Sequence, residues 1–274
     1  MRIDLHTHSN RSDGTDTPAE LVRNAKAAGL DVVALTDHDA TTGWDEAQAA
    51  ADEVGIRLVR GIEVSTKWQG ASVHLLGYGF DPDDVALLSE LERVLAGRQN
   101  RLPTTLAKLA EHGIHLTEEQ VLAQNTDAAA TGRPHIADAM IAGGYIADRD
   151  EAFRDWLSPG KPAYVNRYSA DLFEAVELLV AAGGRTVVAH SWARESRPVM
   201  TPEVFARLAQ AGLSGIEVDH VDHDTRVRRE LAAIADDLGL VKTGSSDYHG
   251  TGKSSAFHLG ANLTDPEQFE RLFS

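Results

Sequence analysis

The chain has 274 residues, of which 42% are hydrophobic and 25% charged, proportions typical of a soluble globular protein with a sizeable core. Because it contains no cysteine, any metal must be held by nitrogen and oxygen atoms. The formal net charge of −16 argues against binding of long nucleic acid, although bound cations would still allow a small phosphate ester. No apolar stretch approaches the roughly 20 residues of a membrane span, and no leader is recognisable, so we expect a cytoplasmic protein without membrane contacts.

The first part of the chain alternates between predicted strands and helices. An apolar alternation opens it and leads into His6 and His8, two residues apart. The segments that follow are a helix over 17–28, a strand over 31–36, a helix over 43–54, a strand over 56–62 ending at Glu63, and a strand over 72–78. A continuous apolar run such as 31–36 is typical of a parallel sheet. The pattern therefore predicts a parallel α/β fold.

The alternation is interrupted over residues 97–165, where we find helical segments but no convincing strand. The candidate helices cover 102–112, 117–124, 133–142 and 150–157. Alternation then resumes with helices over 170–182, 201–211 and 224–238 and strands over 185–190, 215–219 and 240–244. The length suits one large α/β barrel. We therefore divide the chain into a barrel (1–96 and 166–274) and a helical insertion or cap (97–165).

Histidines and carboxylates recur where predicted strands end, at the rim that holds the active site in α/β barrels. Seven of them are His6, His8, His38, Glu63, His190, Asp247 and His249, while His74 lies within a strand and Asp13 in the first strand–helix loop. Nine such side chains would be costly to bury together without cations, so two or three divalent ions are implied. Asp4, Asp37 and Asp39 are candidates to orient the imidazoles, with helix capping as the alternative for Asp39.

Several motifs resemble those of the polymerase and histidinol phosphatase (PHP) domain family. They are His6-Thr7-His8 with Asp13, Thr36-Asp37-His38, Glu63, His74, Ala189-His190 and Ser246-Asp247-Tyr248-His249. The resemblance implies a distorted (β/α)7 barrel with a trinuclear metal centre. It implies one ion held by His6, His8, Glu63 and Asp247, a second by Glu63, His74 and His190, and a third by Asp13, His38 and His249. For the ions we expect Mn²⁺, with Zn²⁺ and Fe²⁺ as alternatives.

The insertion carries Thr131-Gly132-Arg133-Pro134-His135-Ile136-Ala137, which resembles the signature of a particular PHP subgroup. That subgroup removes the 3′-phosphate from nucleoside 3′,5′-bisphosphates, and some members trim short RNAs from the 5′ end. The segment over 161–165 also resembles this subgroup. Arg133 offers a planar donor fork for phosphate, and His135 a further hydrogen bond, at the amino end of a helix. The alternative is that Arg133 pairs with an acidic surface residue and His135 merely packs.

Other side chains are candidates for roles around the rim. His220 and His223 face the rim by position and are candidates to touch phosphate, with ordinary surface histidines as the alternative. His223 or an Asp-paired imidazole is the predicted proton donor to the leaving group. Trp192, Arg194 and Arg197 are predicted to line the mouth of the pocket.

The predicted activity is that of a metal-dependent phosphatase acting on a small phosphorylated substrate, a nucleotide. A hydroxide bridging two ions is expected to attack phosphorus in line, while the ions and Arg133 stabilise charge on the phosphoryl oxygens. The alternatives are a 5′–3′ exoribonuclease on short RNA, a cyclic-phosphate or phosphodiester hydrolase, and histidinol-phosphate phosphatase. A metal-stabilised interaction module without turnover is the alternative from a different class. The sequence does not predict the oligomeric state.

Overall fold

The computed structural model describes residues 1–193 and 196–274. Within them, eight strands form one sheet: β1 (Ile3–Asp4), β2 (Val32–Leu35), β3 (Arg57–Trp68), β4 (Ala71–Tyr78), β5 (Ala170–Asp171), β6 (Arg185–Ala189), β7 (Gly215–Asp219) and β8 (Val241–Gly244). The hydrogen-bonded order is β1-β2-β3-β4-β6-β7-β8, and β5 pairs with β3. A backbone bridge between Thr7 and Tyr248 joins the two ends of this order, so the sheet forms a nearly closed barrel. The predicted fold class, a distorted (β/α)7 barrel with helices, is confirmed.

The helices of the described residues follow the predicted order closely. They are α1 (Pro18–Ala27), α2 (Trp44–Val54), α3 (Val85–Ala110), α4 (Glu118–Leu122), α5 (Arg133–Ala142), α6 (Arg149–Ala152), α7 (Leu172–Ala181), α8 (Pro202–Gln210), α9 (Thr225–Leu238) and α10 (Pro266–Phe273), with a π-helical turn over Phe153–Leu157. At the start of α1, Thr17 and Glu20 form a capping box with Pro18 in the first turn. In the part of the chain that is described, no helix is both long and apolar enough to cross a lipid bilayer.

The hairpin of β3 and β4 adds two antiparallel pairings to the predicted parallel α/β pattern. β3 does not end at Glu63 but continues to Trp68, and β4 returns antiparallel to both β3 and β6. A connection of two residues is long enough for a hairpin, whereas a parallel crossover needs a dozen or more. As a consequence His74 lies opposite Ala189, which precedes His190, and the first half of β4 lies at the carboxyl end of its parallel neighbours.

Apolar side chains fill the barrel and separate its strands from the surrounding helices. Alternate residues of β2 point to opposite sides, since Val32 and Ala34 belong to the interior cluster while Val33 and Leu35 pack toward the helices. The interior cluster also receives Phe269 and Leu272 of α10, a helix that the sequence pattern did not predict. It closes the barrel at the amino ends of the strands, away from the rim where the histidines lie.

Helices α3 to α6 gather around an apolar cluster of their own. Its buried members are Leu102, Leu106, Leu109, Ile114, Val121, Ile136, Ala137, Ala139, Met140, Ile146, Ala152, Leu157 and Ala163. The helix predicted over 102–112 begins earlier, at Val85, and runs without interruption through Pro103. The boundary predicted at residue 97 therefore falls inside a helix, and the division into barrel and insertion stays a prediction.

Candidate metal centre

His6 and His8 lie just beyond β1 and point to the same side of the chain. Both are fully buried, and their Nε2 atoms are 3.0 Å apart. Thr7 between them points the other way, where its Oγ1 donates to the carbonyl of Ala34 (2.6 Å). The alternation of a strand thus continues past Asp4, where β1 ends. Two imidazole nitrogens this close require a shared proton or a cation between them.

Glu63 is the common partner of the surrounding imidazoles. Five of them approach its two oxygens to between 2.7 and 3.2 Å: His6, His8 and His38 at Oε2, and His74 and His190 at Oε1. An ionised carboxylate offers about four lone-pair sites, so five imidazoles cannot all be served by hydrogen bonds alone. A cation shared between the carboxylate and the imidazoles satisfies all of them.

Two more carboxylates complete the cluster. Asp13 Oδ1 lies 3.2 Å from His249 Nε2, and Asp247 Oδ1 lies 3.5 Å from the Nε2 atoms of His6 and of His8. Four overlapping groups have ligand atoms within 4.8 Å of one another: His8, Asp13, His38 and His249; His6, Glu63 and His190; His6, His8 and Asp247; His38, Glu63 and His74. The structure therefore brings all nine predicted ligands into one cluster.

The chemistry of these atoms fits divalent ions. Asp13 Oδ1 and His38 Nδ1 are buried and make no hydrogen bond to any described residue, although each lies within 3.2 Å of another polar atom. Polar atoms that lie this close without hydrogen-bond geometry are arranged like the ligands of a shared ion. Imidazole nitrogen and carboxylate oxygen suit Mn²⁺, Zn²⁺ and Fe²⁺ alike. The assignment of particular residues to particular ions stays a prediction.

The backbone is strained at two of these positions. His190 has φ of 26° and Asp247 has φ of 52°, both in the left-handed region that side chains other than glycine rarely adopt. His190 directly follows the end of β6 and Asp247 lies three residues after the end of β8, where the chain turns to present each side chain to the rim. Strain of this kind persists only where the surroundings hold it, and it concentrates at active sites.

Burial and charge shift the pKa values of the cluster in different directions: those of Glu63, His190 and His249 favour metal binding, whereas a metal ion would have to displace a proton from His6. Burial alone would lower the pKa of His6, but Glu63 and Asp247 raise it well above its ordinary value. Burial would raise the pKa of Glu63, yet the imidazoles around it hold that pKa well below its ordinary value. Burial lowers the pKa of His190 to about 3 and that of His249 to about 4. Ionised carboxylates and neutral imidazoles are the forms that bind metal.

Glu217 is the residue that sequence reasoning missed. It is fully buried on β7, and its Oε1 accepts from His6 Nδ1 (3.1 Å) and from the hydroxyl of Ser245. Its Oε2 accepts from the backbone N–H of His190 (2.6 Å). The sequence pattern that could have revealed Glu217 is an acidic residue between two apolar residues of a strand. Ile216 and Val218 pack toward the helices, so the side chain of Glu217 must point into the barrel.

Asp4, Asp37 and Asp39, which were candidates to orient imidazoles, instead hold loops. Asp4 accepts from the backbone N–H groups of two residues beyond β8, and Asp37 accepts from Ser9 and Ser12 in the first loop. Asp39 pairs with Arg98 (2.8 Å) and does not cap α2, which begins after Gly43. The carboxylate that orients an imidazole is Glu217, because it alone reaches the far nitrogen of His6.

His220, His223 and Lys253 lie beside the cluster. His220 Nε2 is 3.3 Å from Asp247 Oδ2, and the Lys253 ammonium donates to the same oxygen. His223 lies against the far side of His220 from the cluster. Its Nδ1 is 2.9 Å from the carbonyl of Val218, and its Nε2 has no hydrogen-bond partner among the described residues. Burial lowers the pKa of His223. Its predicted role as proton donor stays a prediction.

A small hollow separates the cluster from the helices over the barrel. It is lined by Ser12, Asp13, His38, Leu95, Arg98, Ala130, Gly132 and His135. The backbone N–H of Gly132 donates to His135 Nδ1 (3.0 Å), so the proton of a neutral His135 lies on Nε2. Arg133 donates to the carbonyl of Leu157 (3.2 Å), with its guanidinium over the ring of Phe153, and its role as a phosphate ligand stays a prediction.

The residues predicted to line the mouth of the pocket are partly engaged with one another. The guanidinium of Arg197 lies 4.6 Å from the ring centre of Trp192 and pairs with Glu230. The indole N–H of Trp192 donates to the carbonyl of Met200 (2.8 Å). Arg194 lies outside the described residues.

Comparison with known proteins agrees with this site. A family model described as the PHP domain matches residues 4–173. A 3′,5′-nucleoside bisphosphate phosphatase of Chromobacterium violaceum is 36% identical over 251 residues, covering 92% of this chain and 88% of that protein. A 5′-3′ exoribonuclease of Haemophilus influenzae is 34% identical over 248 residues, covering 90% of each chain. A solved structure from Bifidobacterium adolescentis, assigned as a metal-dependent phosphoesterase, has a TM-score of 0.94 at 35% identity, covering 99% of this chain and 95% of that one.

These matches confirm the resemblance noted in the sequence, and they confirm the expectation of an enzyme that hydrolyses phosphoric esters. The family model spans well over half of the chain, and the curated relatives cover nine-tenths of it or more. The chain therefore belongs to the PHP domain family.

Proposed function

We propose that the protein is a metal-dependent phosphatase that removes the 3′-phosphate from nucleoside 3′,5′-bisphosphates. The observation that carries the proposal is the overlap of the four ligand groups, which share Glu63, His6, His8 and His38 within one buried cluster. Shared ligands of this kind suit several adjacent cations, and such centres are built for displacement at phosphorus. We place the phosphate ester at the hollow between the cluster and the helices, which the ester would have to widen.

Divalent ions held there would supply positive charge to the phosphoryl oxygens and would acidify water at neutral pH. The residues of the chain orient the ester. His135 lines the hollow with its Nδ1 accepting from the N–H of Gly132, its Nε2 3.5 Å from the amide of Asn125 and the ring hydrogen-bonded to the backbone of Ser12. A phosphate oxygen that enters the hollow would compete with these groups for the Nε2–H. Asp13 and His38 line the same hollow and would hold a divalent ion beside the phosphate.

The leaving ribose oxygen needs a proton, and Lys253 is the better placed donor. Its ammonium already donates to Asp247, inside the cluster. His223 is less suited in this state, because its Nδ1–H is directed to Val218 and its lowered pKa keeps Nε2 unprotonated. From this position the ammonium could pass a proton to the leaving oxygen as negative charge develops there.

The exoribonuclease alternative uses the same centre and differs in the length of the substrate. A net charge of −16 disfavours contacts along a nucleic-acid backbone. The substrates expected for this chain are therefore single nucleotides or very short oligonucleotides.

The test compares phosphate release from adenosine 3′,5′-bisphosphate, histidinol phosphate and a 5′-phosphorylated trinucleotide, with Mn²⁺ and with chelator. We expect the bisphosphate to give the highest kcat/KM and chelator to abolish turnover. Glu63→Gln should lower kcat at least 100-fold if the shared carboxylate is essential, whereas Glu177→Gln, an exposed carboxylate on α7, should match the wild type. Fast turnover of histidinol phosphate alone would overturn the proposal, and no turnover despite full metal loading would favour an interaction module.

A further inference from the structure

Arg149, at the start of α6, is more buried than its sequence surroundings suggest. It stands between Asp148 and Asp150, in a stretch typical of a solvated helix start. Only 18% of its side chain is nevertheless exposed. Its Nε and Nη2 donate to the two oxygens of Asp138 on α5 (2.7 and 2.6 Å), which makes a bidentate pair. This pair fixes the plane of the guanidinium and leaves Nη1 to reach other groups.

The Nη1 of Arg149 contacts both loops that carry Asp13 and His249. It donates to the carbonyl of Gly252 (3.0 Å), three residues after His249, and lies 3.5 Å from the carbonyl of Asp13 itself. The N–H of Gly252 in turn donates to the carbonyl of His249 (3.1 Å). One side chain from the helices over the barrel therefore holds the two loops from outside the cluster.

Asp13 and His249 come from opposite ends of the chain and share one ligand group. Asp13 lies in the loop between β1 and α1, and His249 lies in the loop after β8. Together with His8 and His38 they form one of the four groups, and among the described residues neither belongs to any of the other three. Their approach to 3.2 Å thus depends on the contacts that hold the two loops.

We propose that Arg149 is a positioning residue for the ion at Asp13 and His249, which it keeps at the separation that an ion requires. This inference rests on the proposed function and deepens it, because it concerns the metal centre of that site. Ligands that are already fixed lose less conformational entropy when an ion binds. Because Arg149 contacts only this pair of loops, its replacement should weaken one step of metal binding and leave the other steps unchanged.

The charge of Arg149 would act in the opposite direction. A guanidinium close to Asp13 repels a cation at that carboxylate, so the loss of its charge alone would strengthen metal binding. The loss of its hydrogen bonds would weaken metal binding. Variants that keep the charge therefore separate positioning from electrostatic repulsion.

The first test is Arg149→Lys, which keeps the charge but has no planar fork to pair with Asp138 while reaching Gly252. Calorimetric titration of metal-free protein with Mn²⁺ gives the stepwise affinities. We expect one step to weaken about 10-fold, the lower end of the loss seen when a group behind a metal ligand is replaced. Arg154→Lys is the matched control, because Arg154 forms the same kind of bidentate pair with Asp155 on the surface, and it should match the wild type.

Gly252→Ala disturbs the same contact from the other side and leaves every charge in place. A Cβ on Gly252 would lie 2.4 Å from Nη1 of Arg149, so the guanidinium would have to move away. We expect the same binding step to weaken as in Arg149→Lys. Agreement between two variants that alter different residues would tie the loss to this contact.

Turnover at different Mn²⁺ concentrations gives a second measurement. Arg149→Lys should need more Mn²⁺ than the wild type for half-maximal hydrolysis of adenosine 3′,5′-bisphosphate and should reach the wild-type kcat at saturation. A kcat that stays low at saturating Mn²⁺ would refute a role confined to the ion.

The outcomes separate this inference from the proposed function. If the wild type binds Mn²⁺ and both Arg149→Lys and Gly252→Ala bind it with wild-type stepwise affinities, the inference is refuted and the phosphatase stands. Equal weakening of every step, or stronger binding by Arg149→Met than by the wild type, would also refute it. If the wild type binds Mn²⁺ but hydrolyses no ester, the phosphatase fails and the titration alone decides the role of Arg149. If Arg149→Lys does not fold, Gly252→Ala decides it in the same way.

Discussion

Replacing Glu217 by glutamine should weaken metal binding without removing any predicted metal ligand. In the wild type, Glu217 accepts from His6 on one oxygen and from the backbone N–H of His190 on the other. A glutamine has an N–H₂ group in place of one oxygen, so one of these donors would meet another donor. Either His6 loses the partner that keeps its Nε2 lone pair directed at the cluster, or the strained turn at His190 loses its anchor.

The magnitude follows from these contacts. Loss of a carboxylate that orients a ligating histidine lowers metal affinity about 10- to 100-fold, or about 1.4–2.7 kcal/mol. The upper end is expected here, because Glu217 is fully buried and serves two ligand residues at once. Burial would raise the pKa of Glu217, yet His6 holds it below its ordinary value, so the negative charge that glutamine removes is present at neutral pH.

The assay is a competitive titration of metal-free protein with Mn²⁺ against a chromophoric chelator, for Glu217→Gln and for Glu270→Gln. Glu270 is an exposed carboxylate on α10, and its replacement should leave affinity at the wild-type value. Circular dichroism establishes that both variants are folded. Equal Mn²⁺ affinity for Glu217→Gln and the wild type would refute the argument that this carboxylate positions His6.

Three further predictions concern stability. Leu109→Ala, at a fully buried position of α3, should lower the free energy of unfolding by about 2–5 kcal/mol in denaturant titrations; a loss below that of Leu88→Ala, at an exposed position of the same helix, would contradict the packing described. Asp39→Asn should cost about 3 kcal/mol at pH 7, because it leaves buried Arg98 without its anion. Burial would raise the pKa of Asp39, but Arg98 holds that pKa below its ordinary value of 3.8. The loss of stability in Asp39→Asn should therefore be complete above pH 3.8 and shrink as the pH falls through the lowered pKa. A loss of stability that does not depend on pH would contradict this ion pair. Mn²⁺ at 100 times its dissociation constant should add about 2.7 kcal/mol to the stability of metal-free protein, and a thermal midpoint indifferent to Mn²⁺, Zn²⁺ and Fe²⁺ would argue against metal in the cluster.

The sequence predicted most of the ligand cluster because strand-end positions in a barrel meet at one rim. For His6, His38 and Asp247 the position in sequence was enough, since each follows an apolar run that forms a strand. The position of Glu63 within its strand was harder to predict, because the hydrophobic run before Glu63 does not reveal that β3 continues to Trp68. Continuation depends on pairing with β4, which is a tertiary contact rather than a local preference.

The burial of Arg98 and Arg101 could not be predicted from the sequence, for a different reason. Arg98 and Arg101 resemble ordinary solvated residues of a helix, since the stretch 98–101 consists of polar residues only. Their burial follows from the way α3 lies over the barrel rim, and no local pattern records that. Arg133 was predicted to bind phosphate from its planar donor fork at the amino end of a helix and from the motif that its segment resembles, and the structure places it against Leu157 and Phe153.

The ligands come from both ends of the chain because the candidate metal centre lies on the seam of the barrel, the place where β1 and β8 meet and the sheet closes. In the described residues, β1 and β8 are joined by one backbone bridge at Thr7 and Tyr248. His6 and His8 follow the strand on one side of that seam, and Asp247 follows the strand on the other, with ligand atoms within 4.8 Å. An ion shared by these three residues would connect the edges of β1 and β8, between which backbone pairing is sparse. Metal binding would then be coupled to folding, because the ligands come together only in the folded chain. Closing the barrel and assembling the site are then the same event.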